Sequence, residues 1–135
     1  MKKYFLLFFL LSTVSIVNNS CKKDSGQGGR ASIKGRVFAL NYNSNSMSYA
    51  LDSGYVGGQK VYIVYGDGAA VGDNQDTNYD GTFEFPYLRP GKYKVFTFSK
   101  NKVNHLDSAV IKTTEITARK QTVELPDLKI KTSKN

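Results

Sequence analysis

The stretch TNYDGTFEFPYLRPGKYKVFTFS, residues 77–99, decides how this chain is read. Phe83 and Phe85 alternate with Thr82 and Glu84, and Tyr93, Val95 and Thr97 alternate with Lys94, Phe96 and Phe98. A period of two sends successive side chains to opposite faces of a strand. Asp80-Gly81 precedes the first run and Pro90-Gly91 separates the two. Glycine accepts the positive φ that tight turns demand, and Pro90 presets φ for the first central position of a type II turn with Gly91 at the second. The stretch therefore predicts two strands joined by turns. The same letters have a second reading, because Asp76, Asn78, Asp80 and Gly81 match the opening of a calcium loop. Its twelfth position should be a bidentate glutamate but is Tyr87, and its flanks read as strands instead of helices. Asp and Asn also bond their own backbone in turns. The turn reading is preferred and no cofactor is expected; Asp76, Asn78 and Asp80 are the side chains a structural calcium would use.

Further out, the pattern repeats. ASIKGRVFAL (31–40), KVYIVY (60–65), SAVIKTTEIT (108–117) and QTVELPDLKIK (121–131) are rich in β-branched and aromatic residues, and Asp67-Gly68 marks another hairpin turn. No segment from residue 30 onward shows helical periodicity. Short strands at this spacing predict an all-β antiparallel sandwich over residues 31–131, followed by a polar tail at 132–135. The pieces IKGRV, GGQKVYIVY, QTVELPDLKI and the DG-x-F-x-F-x-x-L-x-PG-x-Y core at 80–93 resemble the carboxypeptidase-regulatory-like domain. That family, like the collagen-adhesin B-type repeats, has a transthyretin-like (prealbumin-like) fold. The resemblance implies a single seven-stranded β-sandwich that serves as a spacer, an adhesive module or an appendage of an enzyme.

The N-terminus bears on location. Lys2 and Lys3 precede an apolar run of 14 residues, Tyr4–Val17. This is the layout of a secretory signal peptide, and it is shorter than the roughly 20 residues of a spanning helix. Cys21 is the only cysteine, so it has no partner for a disulfide within the chain. VNNSC (17–21) resembles the lipobox of bacterial lipoproteins, although Asn18 stands where that family prefers leucine. The resemblance implies a signal peptide at 1–20, acylation of Cys21 (palmitate among the chains), and anchoring in the cell envelope, most simply the outer membrane. Two or more acyl chains make a stable anchor at about 0.8 kcal/mol per buried methylene. Residues 21–30, CKKDSGQGGR, lack any large apolar side chain and read as a flexible tether.

Charge and inventory narrow the function. The chain carries a net charge of +8, and +6 once Lys2 and Lys3 are removed with the leader. Residues 85–135 hold eleven basic against four acidic side chains. A secreted chain with no nucleic-acid motif points away from nucleic acid and toward anionic glycans, lipid phosphates or an acidic protein. The single histidine, His105, has no second imidazole or thiol to join it, and no carboxylate pair or phosphate loop is evident. The chain is therefore read as non-enzymatic.

Ligand-binding candidates fall in the long connection between Leu40 and Gly57, which carries Tyr42, Tyr49 and Tyr55 with Met47 and Leu51. Tyrosines on loops anchor partners at low entropic cost. The alternative is an added edge strand whose side chains cover the sandwich. The functional expectation is a lipid-anchored binding or assembly module with an envelope or extracellular protein partner. Two alternatives are a glycan-binding lipoprotein using these tyrosines and an accessory subunit of an enzyme encoded elsewhere.

Overall fold

A computed structural model describes residues 24–43, 49–100 and 106–134. The leader at 1–20, Cys21, Met47 and His105 lie outside the described residues. The described chain is all-β, in the order β1 (Gln27–Asn43), β2 (Ala50–Tyr55), β3 (Lys60–Tyr65), β4 (Val71–Asp76), β5 (Thr82–Leu88), β6 (Gly91–Lys100), β7 (Asp107–Ile116), β8 (Thr122–Glu124) and β9 (Leu128–Lys134). The strands form two sheets. One is ordered β4-β3-β6-β7 and is wholly antiparallel. The other is built around the 17-residue β1, which pairs antiparallel with β5 and β2 and parallel with β8 and β9.

Among the described residues nine strands are present, where the resemblance implied seven and six runs were read from the sequence; two strands without a run of their own and the division of one run make up the nine. The first extra strand is β4, whose sequence VGDNQD offers no apolar alternation to read. The second is β2, which pairs with the far half of β1 as an edge strand at 50–55, although its side chains are mostly exposed and do not cover the sandwich. The run at 121–131 divides into β8 and β9 because Pro126 stands between Leu125 and Asp127 and donates no ladder hydrogen bond. The sandwich is also mixed, because β8 and β9 follow β1 in parallel. The strands extend past the expected limits: residues 27–30, expected in the tether, open β1, and residues 132–134, expected in the tail, belong to β9.

The inner faces meet in one core. Ile33, Val37, Ala39, Phe83, Phe85, Leu88, Leu128 and Ile130 come from the first sheet, and Val61, Ile63, Tyr93, Val95 and Ile116 from the second. Among the described residues, all buried apolar side chains lie between Ala31 and Ile130. Thr97 is buried among them with its polar atom satisfied: its hydroxyl donates to the Lys60 carbonyl at 2.7 Å and accepts from Gln59 Nε2 at 2.9 Å. Gly35 leaves room for the Phe83 ring, since a Cβ there would stand 2.6 Å from it.

Turn chemistry is partly as expected. Gly81 has φ 77°, and Asp80 Oδ1 accepts from the Thr82 amide (3.1 Å) and hydroxyl (2.6 Å), closing the turn into β5. In the β3–β4 hairpin the positive φ falls on Gly66 (69°) and not on Gly68. The Asp67-Gly68 pair marked the right turn but not the glycine that takes the left-handed conformation.

Candidate binding surfaces

The two sheets have different outer faces. On the first sheet Lys34 pairs with Glu84 (3.4 Å), and Arg36 Nε stands 3.6 Å from Asp127 Oδ1. Arg36 also lies over the Tyr55 ring, 4.4 Å from its centroid. Tyr55 meets Phe38 edge-on at 5.3 Å and donates its hydroxyl to Asp127 Oδ2 at 3.1 Å. The charges and rings of this face answer one another.

The expected tyrosines are not gathered into one surface. Tyr42 is buried at the register shift between Asn41 and Tyr42. Tyr49 is 65% exposed just before β2, and Tyr55 is 42% exposed at its end. Six residues of extended chain put Tyr49 about 20 Å from Tyr55. Asn41, between Asp52 and Thr132, is hydrogen-bonded to both.

The expected calcium side chains are likewise engaged separately. Asp76 ends β4 in an ion pair with Lys60 at 2.9 Å, and the carboxylate holds that ammonium above its ordinary pKa. Asn78 Nδ2 donates to Thr82 Oγ1 at 3.0 Å. Asp80 is held below the usual carboxylate range, first by the Thr82 hydroxyl and then by the Thr82 amide. Among the described residues no three His, Cys, Asp or Glu side chains cluster as a metal site. Tyr87, which displaced the glutamate of the loop pattern, sits in a bulge. Ile33 faces Phe85 and Ala31 faces Leu88, so β5 has one residue more than β1 across this interval. Tyr87 takes up the excess at φ 59° and is left 71% exposed.

The outer face of the second sheet was not anticipated as a site. A single cross-strand row runs Asn74, Tyr62, Phe96, Ile111 through all four strands. Tyr62 and Phe96 are stacked at 5.0 Å with 14° between their planes. Phe98 meets both rings edge-on at 5.7 Å. Phe98 and Ile111 remain 41% and 54% exposed. Nearby charges are tied at the rim. Lys60 pairs with Asp76 and Lys100 with Asp107 (2.7 Å), while Lys94 Nζ donates to the carbonyls of Asp67 and Gly68. The signal was present in the sequence: FTF at 96–98, with Tyr93 and Val95 before it, supplies large apolar groups to both faces of one strand. Such a strand is covered on both faces or displays one of them.

A third feature lies at the end of the sandwich where the described chain begins. Residues 24–30, the start of β6 and the turn after β7 enclose an open groove of about 1250 Å³. Four cations line it, Arg30, Arg89, Arg119 and Lys120, against two acids, Asp24 and Glu115. Its floor is secured by Tyr93, whose hydroxyl accepts from Gly26 N (2.9 Å) and donates to the Arg89 carbonyl (2.6 Å). Burial raises the Tyr93 phenol above its ordinary pKa.

No family model matches the chain, and no curated protein matches it. Among solved structures, one from Pseudomonas aeruginosa, described as "a putative carbohydrate binding protein", is similar to 76% of this chain and 91% of its own, with 16% identity and a TM-score of 0.47. The class defined by the coordinates themselves is an all-β two-sheet sandwich.

Proposed function

We propose that this chain is a lipid-anchored, non-catalytic module of the cell envelope that binds a protein partner through the outer face of its second sheet. The observation that carries the proposal is the exposed aromatic row of Tyr62, Phe96 and Phe98 with Ile111. Aromatic side chains at the centre of a patch, with charges confined to its rim, match the anatomy of protein interfaces. The geometry favours a protein over a sugar. Tyr62 and Phe96 stack on one another and Phe98 meets both edge-on, so the cluster is a broken, knobbed surface and not the flat platform on which a sugar ring stacks. The lipid anchor is supported by the apolar run at 4–17 and by the position of Cys21. The non-catalytic reading is supported by the shortage of nucleophiles and proton-transfer groups in the sequence.

The test is site-specific photo-crosslinking of the full chain in intact cells. A photoreactive residue at position 98 or 111 should give a discrete protein adduct that is absent when it replaces Lys34 on the other outer face. Adducts of equal yield from both faces, or none from either, would overturn the proposal. Reproducible glycan-array binding that is lost in Phe98→Ala would replace the protein partner with a sugar.

A further inference from the structure

The groove at the start of β1 has a feature that the aromatic face lacks, which is a fixed position relative to the N-terminus. Asp24 and Ser25 form part of its wall, and Gly26 is held by Tyr93 through its amide. Cys21 precedes Asp24 by three residues, so its Cα lies within about 11 Å of the Asp24 Cα, by the reach of an extended chain. A membrane that holds the acyl groups of Cys21, or the apolar run upstream of it, therefore stands against this end of the sandwich.

The chemistry of the end suits that position. None of the four ion pairs among the described residues involves Arg30, Arg89, Arg119 or Lys120. Lys22 and Lys23 add two further charges between Cys21 and the groove. Beside Arg89, Tyr87 is left exposed by the β5 bulge, and tyrosine is a side chain that settles at the headgroup level of bilayers. We propose that this basic end is a docking surface for the phosphate-bearing headgroups of an anionic membrane. It would seat the module upright and deepens the lipid-anchor reading on which it rests. Phe98 lies seven residues along β6 from Gly91 at the groove, so docking would hold the aromatic row about 23 Å from the headgroups, facing sideways to a partner.

The test uses the chain from residue 21 with Cys21→Ser, which retains all buried core residues among those described and carries no acyl chain. It is co-sedimented with vesicles of phosphatidylcholine alone and with about one-third phosphatidylglycerol, at low and high salt. Binding should appear only on the anionic vesicles and should weaken as salt screens it. The triple variant Arg30→Gln, Arg119→Gln, Lys120→Gln should lose roughly a hundredfold in partitioning, about fivefold per cation near the surface. These three side chains are exposed, so the variant should unfold at the parent's temperature. A control variant, Lys34→Gln, Lys129→Gln, Lys131→Gln, removes the same charge from the first sheet and should keep the parent's binding. Equal binding to neutral vesicles, or equal losses in both variants, would overturn the proposal. So would displacement by inorganic phosphate at an ionic strength where chloride has no effect, which would make the groove a site for free anions. Failure of the anchor itself is scored separately, as unchanged membrane fractionation of Cys21→Ala in the full chain.

Discussion

The two outer faces of this sandwich rest on the same core, yet they have settled their surface chemistry in opposite ways. On the first sheet, Arg36 is shared between the Asp127 carboxylate and the Tyr55 ring, and Lys34 pairs with Glu84. Each of these three side chains, Lys34, Arg36 and Tyr55, has a partner on its own face. On the second sheet the rings of Tyr62, Phe96 and Phe98 find only one another, and the lysines are drawn to the rim by Asp76, Asp107 and two turn carbonyls. An aromatic cluster that is only half covered leaves apolar area in water, at about 25 cal/mol per Å². A partner would recover that energy, whereas the first face would have to surrender its internal pairs to gain one.

The comparison can be broken most severely from beneath. Phe83→Ala removes a ring from the shared core, and it should cost about 3–5 kcal/mol and disable both faces together. Denaturant unfolding followed by partner cross-linking would show this, and loss of one face alone would mean that the sheets fold independently. Tyr93→Phe should cost about 1–3 kcal/mol, because the Gly26 amide and the Arg89 carbonyl lose their partner where the chain enters the sandwich. It should also change the alkaline profile. A phenol whose pKa is raised in the folded state contributes stability that is fully present below its unfolded value of about 10 and is lost as pH rises through the folded one. The parent should therefore lose stability above about pH 10 more steeply than the variant.

Smaller changes sharpen the contrast between the faces. Phe98→Ala should cost no more than about 1.5 kcal/mol in stability, since the ring is already well exposed, while abolishing cross-linking from position 111. Tyr55→Ala on the other face, with similar exposure, should leave that cross-linking intact. The smallest effect belongs to the Lys34–Glu84 pair. Both side chains are about half exposed, so Lys34→Ala should shift stability by less than about 0.5 kcal/mol, and added salt should erase even that.

The strands that alternate apolar and polar residues were legible, because that period reports the burial of one face. β3 matches KVYIVY residue for residue, and β6 departs from its expected run by one. The strand β4 was not legible, because VGDNQD lies at an edge and its pairing with β3 comes from backbone groups that every sequence possesses. Tyr42 looked like a loop side chain and is buried, because its segment is the end of β1, held between β2 and β9. The aromatic row needed cross-strand register before it could be seen. Tyr62 and Phe96 lie 34 positions apart, and nothing local announces that they are opposite one another.

What the sequence determined by itself is the β character of the chain, the turn at Asp80-Gly81 and the side-chain alternation of each strong strand, all set by neighbours a few residues apart. Tertiary structure alone decided the parallel seating of β8 and β9 against β1, the bulge that exposes Tyr87, the gathering of four cations at the chain's point of entry, and the face on which the spare aromatics meet. These depend on which distant strands pair and in what register. That choice is made by the fit of the whole core, in which residues 31 to 130 take part together.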